Sequence, residues 1–233
     1  MKIVRKLMRI DVVTLFPQFI EPLVRGSIVG RAQAKGLADI TVVDLWQFVP
    51  DGERADDAPY GGGAGMVMRL GPLIACMEHS LGGSLDVPAG TRVVLPSPAG
   101  PVFTQARARA LAALDRLILV CGHYEGIDER FFDLVRAEEI SLGDFVLTGG
   151  EIPALAIIDA CVRILPGAIA AESAANESFS GQDLDWPHYT RPAQFRGASV
   201  PEVLLSGDHG KIAKWREDRA AERTMRRRPD LRS

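Results

Sequence analysis

Three glycine-bearing turns carry most of the chemical capacity of this sequence. The richest is Ser141-Leu-Gly-Asp-Phe-Val-Leu-Thr-Gly-Gly-Glu-Ile-Pro153. Ser141 and Asp144 have side chains that hydrogen-bond backbone in turns. Gly143, Gly149 and Gly150 allow backbone approaches that a Cβ forbids. Leu142, Phe145, Val146 and Leu147 supply apolar walls. A second turn, Cys121-Gly-His-Tyr-Glu-Gly126, brackets His123, Tyr124 and Glu125 between Gly122 and Gly126. In a third, Leu95-Pro96-Ser97-Pro98-Ala99-Gly100, two prolines and a glycine fix a sharp bend. Each follows an apolar run that reads as a strand. Ligands of open α/β sheets sit beyond the carboxyl ends of strands, so all three can form one pocket for a flat or small ligand. A plain βα connection also explains the 95–100 turn, and Tyr124 reads equally as core and Glu125 as a solvated charge.

A fourth glycine cluster, Gly61-Gly62-Gly63-Ala64-Gly65-Met66, follows Asp56-Asp57-Ala58-Pro59-Tyr60. It is not a nucleotide loop, because no apolar strand precedes it and no Gly-Lys-Ser/Thr follows. It reads either as a surface turn or as a loop that lets a planar base or a phosphate reach the backbone. Three charged residues stand apart from the turns. Arg163 ends an apolar helical run, where its interaction with the helix dipole is sufficient explanation. Glu177 and Asp185 lie in a polar stretch and, taken singly, read as solvated acids.

The elements that must position these residues follow from hydrophobic periodicity. Residues 9–15, 40–45, 91–95, 117–121 and 138–141 read as strands. Residues 17–24, 70–80, 104–114, 128–134 and 152–165 read as helices, with Thr104 and Asp128 as N-cap candidates and Pro153 in a first turn. This alternation predicts an α/β fold with a mainly parallel sheet flanked by helices. Composition shifts after Pro166-Gly167. Residues 1–169 therefore read as the main domain and 170–185, small and acidic, as a flexible linker or a segment ordered on binding. Residues 186–233 read as a small helical domain, with a basic helix over 208–228.

The 233 residues are 47% hydrophobic and carry a net charge of −3, enough for one substantial core. From Lys211 onward nine Lys and Arg stand against four Asp and Glu. That basic end is either a solvated helix face or a phosphate-backbone contact. Cys76, Cys121 and Cys161 lack CxxC spacing and lie in apolar runs, so buried free thiols in a reducing cytoplasm are expected. No zinc pattern is visible. No signal sequence is expected, and no apolar run approaches the ~18 residues of a membrane span.

Long motifs now combine. Asp57-Ala-Pro-Tyr-Gly-Gly-Gly-Ala-Gly-Met66, Cys121 to Arg130, Ser141 to Glu151, Asp185-Trp-Pro-His-Tyr-Thr-Arg-Pro192 and Val200 to His209 closely resemble the bacterial tRNA (guanine-N1)-methyltransferases, a family of the SPOUT superfamily. The resemblance runs from about Arg9 to Arg228. It implies a deep trefoil knot in the sheet domain and a homodimer whose active sites are shared between subunits. It implies methyl transfer from S-adenosylmethionine to N1 of the guanine 3′ of the tRNA anticodon (position 37), preceded by another guanine. The cofactor would contact Leu95, Pro96, Ser97, Pro98, Gly122, Tyr124, Glu125, Ser141, Leu142, Gly143, Asp144, Phe145, Val146, Leu147, Gly149 and Gly150. Asp57, Tyr60, Gly61, Gly62, Gly63, His188, Lys211 and Lys214 would contact RNA. Arg163, Glu177 and Asp185 would be catalytic. Mg²⁺ is implied for the family, without a ligand set here.

Two positions depart from the family pattern. Glu177 stands where the base is aspartate, one methylene longer. His123 stands where arginine is common, which makes a phosphate or base contact there weaker or pH-dependent. Two other function classes compete. A non-catalytic RNA-binding protein on the same scaffold would bind tRNA without turnover. A Rossmann dehydrogenase is disfavoured by the lack of a strand–GxGxxG–helix unit.

Overall fold

A computed structural model describes residues 6–170 and 177–232. The chain forms two compact units, Met1–Ile169 and Ala170–Ser233.

In the first unit five strands, β1 (Met8–Thr14), β2 (Ala38–Asp44), β5 (Thr91–Pro96), β6 (Arg116–Val120) and β7 (Glu138–Ile140), form one sheet in the order β2-β1-β6-β5-β7. Every pairing is parallel. Alternation along the strands feeds two cores. Ile10, Val12, Leu117, Leu119 and Ile140 pack on one face against α1 (Pro17–Val24), α2 (Ser27–Ala34), α4 (Gln105–Ala112) and α6 (Glu151–Val162). Val13, Val93, Ile118 and Val120 pack on the other against α3 (Leu70–Leu81) and α5 (Arg130–Val135). Cover on both faces explains the continuous apolar runs Val93–Leu95 in β5 and Leu117–Val120 in β6. The helix α6 is apolar nearly all round. Ile157, Ile158, Cys161 and Val162 are each almost fully buried, worth about 1.5–3 kcal/mol for each large aliphatic side chain.

The expected elements recur to within about three residues at each end. Thr104 caps α4, accepting from Arg107 N at 3.3 Å. Asp128 accepts from Arg130 N at 3.0 Å, one position before the N-cap Glu129. The reading missed α2, whose interior Gly30 argues against a helix. That glycine is needed because a Cβ there would lie 2.0 Å from Arg25 O. It also missed β3 (Asp56–Asp57) and β4 (Val67–Met68), an antiparallel pair too short to show a period. All three cysteines are buried and free, as expected. Burial pushes the Cys76 and Cys161 thiols up to about 12.

In the second unit β8 (Gln194–Phe195) and β9 (Ala198–Ser199) form a ribbon. Arg196 and Gly197, both at positive φ, make its two-residue turn. A short α7 (Glu202–Leu205) precedes α8 (His209–Arg227), capped by Asp208, which accepts from Lys211 N. Part of the expected linker, 171–176, lies outside the described residues. The rest, 177–185, is turn structure held onto α8. Leu184 N donates to Thr224 Oγ1 at 2.9 Å, and Arg223 donates to Asp185 O at 3.2 Å. Arg232 makes two 2.6 Å bonds to Asp183.

Candidate functional site

At the carboxyl ends of β5, β6 and β7 the three glycine-bearing turns meet around a cleft of about 280 Å³. Their contact is built by backbone. Ser97 N donates to Ile140 O at 2.9 Å, and Gly150 N donates to Gly122 O at 2.9 Å. Phe103 N donates to Ser141 O at 2.7 Å. Two glycines are required by these crossings. A Cβ on Gly100 would lie 2.4 Å from the Glu139 carbonyl carbon, and one on Gly150 would lie 2.7 Å from Cys121 Cα.

Leu95, Pro96, Ser97 and Pro98 line the cleft from the first turn, and Gly122, Tyr124 and Glu125 from the second. Ser141, Leu142, Gly143, Phe145, Val146, Leu147, Gly149 and Gly150 line it from the third. Asp144 is exposed and does not line the cleft, because the turn directs it to solvent. His123, Gly126, Ile127, Ile140, Thr148 and Pro153 also line it. Of these, His123 stands out in the sequence as a departure from the family pattern, and sequence reasoning passed over Ile140 and Thr148 because neither carries an obvious ligand chemistry. The Ser141 hydroxyl donates to Gly143 O and accepts from Gly143 N, both at 3.1 Å, closing the turn as its residue type predicts. Phe145 and Val146 remain exposed, an apolar surface suited to a flat ring.

Tyr124 sits at φ 61°, a left-handed conformation uncommon outside glycine. Its phenol bonds Asp56, and burial first, then the Asp56 charge, pushes the phenol up. Asp56 is only 3% exposed and takes two bonds from Arg54, at 3.3 and 2.7 Å. Glu125 lies over Gly65, where a Cβ would come within 2.3 Å of its carboxylate. Glu125 N donates to Met66 O at 2.9 Å. The 61–66 loop therefore abuts the Tyr124–Glu125 side of the cleft. Tyr60 on that loop is 100% exposed, Asp57 is exposed, and Gly61, Gly62 and Gly63 all have positive φ.

Arg163 is the C-cap of α6 in the first unit, as its dipole reading requires. Glu177 and Asp185 belong to the second unit. The Asp185 carboxylate accepts from Trp186 N at 2.8 Å and meets His188 Nε2 at 2.7 Å. Glu177 O accepts from Ser180 N at 3.1 Å. On α8, Lys211 pairs with Asp208 at 3.2 Å and Lys214 with Asp218 at 3.4 Å, all largely exposed. Such pairs contribute little to stability and leave the ammonium groups accessible. No group of three or more His, Cys, Asp or Glu able to hold a metal occurs among the described residues. None of the described helices is long and apolar enough to cross a membrane.

A parallel α/β sheet with a glycine-walled cleft at its strand ends defines the class as an α/β protein whose cleft lies where such sheets bind ligands. The family model for tRNA (guanine-1)-methyltransferase TrmD matches residues 8–233. The chain is 47% identical over 226 residues to the tRNA (guanine-N(1)-)-methyltransferase of Geobacillus kaustophilus, covering 96% of this chain and 91% of that protein. It is 51% identical over 227 residues to the one from Gloeobacter violaceus, covering 96% and 98%. With the one from Geobacter metallireducens it shares 50% over 226 residues, covering 96% and 91%. The chain belongs to the TrmD family of tRNA (guanine-N1)-methyltransferases.

Proposed function

We propose that the 280 Å³ cleft holds S-adenosylmethionine, and that the chain methylates N1 of guanine 37 in tRNAs where another guanine precedes it. The observation that carries this is the convergence of three glycine-bearing turns on one cleft in a chain of this family. The fit is chemical as well as spatial: glycine walls admit a ligand close to backbone, and Leu95, Phe145 and Leu147 flank a flat ring. Asp144 does not line the cleft, and its place among the proposed cofactor contacts rests on the resemblance alone.

The bound donor supplies an electrophilic methyl on a positively charged sulfur. Guanine N1 carries a proton and is a weak nucleophile until the proton leaves. Glu177 accepts it on a carboxylate oxygen. The freed electron pair would accept the methyl that the donor, held by the three turns, would supply, the donor leaving as a neutral thioether. Arg163 stabilises the negative charge that develops on guanine O6. Asp185 is the second carboxylate of the proposed set, oriented by Trp186 N and His188.

The family resemblance also supports a homodimer in which Arg163 of one subunit works with the partner's Glu177 and Asp185. Exposed Phe16, Phe19 and Leu23 on and beside α1 agree with a buried subunit face. The sheet order and the close crossing of Gly150 past Cys121 support a trefoil knot. Asp57, Tyr60, Gly61, Gly62, Gly63, His188, Lys211 and Lys214 are the proposed RNA contacts, the lysines acting on phosphate. Mg²⁺ remains a family expectation, and no step is routed through it.

The test uses methyl-labelled S-adenosylmethionine with a tRNA bearing guanines at positions 36 and 37. The expected product is 1-methylguanosine at the second guanine after nuclease digestion and mass spectrometry. Its absence with folded protein would sink the proposal.

A further inference from the structure

One polar chain beside the cleft has no part in the proposed chemistry. Glu151, the first residue of α6, is 5% exposed. Its carboxylate is divided between two partners. Thr14 Oγ1 donates to Oε1 at 2.5 Å, and His123 Nε2 meets Oε2 at 2.7 Å. Thr14 ends β1, is fully buried, and accepts from Phe16 N at 2.9 Å. The His123 ring packs against Phe16 with centroids 4.7 Å apart. Three separate parts of the chain therefore meet at one carboxylate.

Backbone geometry shows what this junction controls. His123 pairs with Gly149 as an antiparallel bridge. A Cβ on Gly149 would lie 2.3 Å from the His123 ring and 2.6 Å from Glu151 Oε2. The ring thus rests directly on the turn that lines the cleft. A carboxylate this buried is costly unless its oxygens are bonded, so the partners hold each other in place. The helix N-terminus adds a favourable dipole. The His123 side chain is only 16% exposed and its Nε2 is committed to Glu151, an arrangement unsuited to a phosphate contact.

We propose that His123, Glu151 and Thr14 are positioning residues for the methyl donor. They latch the 121–126 turn onto the 149–150 turn and so set the width of the cleft. This rests on the cleft being the donor site.

The test measures donor Kd, tRNA Kd, kcat at saturating donor and melting temperature for His123→Ala, His123→Gln and Glu151→Gln. Losing a hydrogen bond to a charged group predicts a roughly tenfold or larger rise in donor Kd for His123→Ala and Glu151→Gln. For Glu151→Gln, a residue that does not line the cleft, tRNA Kd and kcat at saturating donor should stay within about twofold, since the latch touches neither reacting group. His123→Gln, which can still donate to Glu151, should recover most donor affinity. Should His123→Ala fail to fold, the near-isosteric Glu151→Gln carries the test. Unchanged donor Kd in folded variants overturns the latch. So does a rise in tRNA Kd alone, which would make His123 an RNA contact. Failure of the wild-type protein to bind the donor would instead overturn the cleft reading itself.

Discussion

Gly150 shows how a single hydrogen atom in place of a methyl shapes the site. Its α-carbon passes so close to Cys121 that a Cβ would sit 2.7 Å from Cys121 Cα and 2.9 Å from Gly122 N. Both are backbone atoms of a turn pinned by β6, so neither can give way cheaply. Gly150→Ala should therefore destabilise the fold by about 1–3 kcal/mol. It should also weaken S-adenosylmethionine binding more than a stability loss alone accounts for. Thermal melts and donor titration below the melting point separate the two effects. The contrast with Gly61 is instructive, since nothing lies within 4 Å of its Cβ position and its φ of +85° alone restricts substitution. At this scale the sequence was informative where a residue acts through its own turn, as Ser141 does with Gly143. It was silent about the Thr14–Glu151–His123 chain. Those partners lie 137 and 28 positions apart, and no local pattern relates them.

Among the elements, the central strands β1, β5 and β6 were legible because both faces of the sheet are covered there and each holds an apolar run, Val12-Val13, Val93–Leu95 and Leu117–Val120. The 170–185 stretch was not. It is acidic and aperiodic, and its described part gains order from distant residues, Thr224, Arg223 and Arg232. The Asp183–Arg232 pair gives this segment a pH signature. Hydrogen bonding to Arg232 holds the Asp183 carboxyl below its ordinary value. A carboxyl lowered in the folded state contributes stability above its unfolded value of about 3.9, and loses it as pH falls through the folded value. Acidification below about pH 4 should thus loosen the segment that carries Asp185. With both side chains about a third exposed, solvent limits the effect to below about 1 kcal/mol. Asp183→Asn should flatten that part of the acid dependence, read by urea melts of the full chain followed through tryptophan fluorescence.

For the whole molecule, the division of labour follows the two units. The first unit carries the cleft and Arg163, and the second carries Glu177, Asp185 and the basic helix. Neither unit alone contains the full proposed catalytic set, and the family resemblance is what supports a site shared between two subunits. The strongest departure from the family pattern is also the most useful handle. Glu177 offers the same carboxylate as the aspartate the resemblance implies, on a stem one methylene longer. Its reach to guanine N1 is therefore the point on which the chemistry turns. The decisive measurement compares wild-type protein and Glu177→Gln in single-turnover methylation of a tRNA with guanines at positions 36 and 37, alongside donor titration. Loss of a general base predicts a fall in the methylation rate of about 10²–10⁴-fold with unchanged donor affinity. Equal rates for the two proteins would contradict Glu177 as the base.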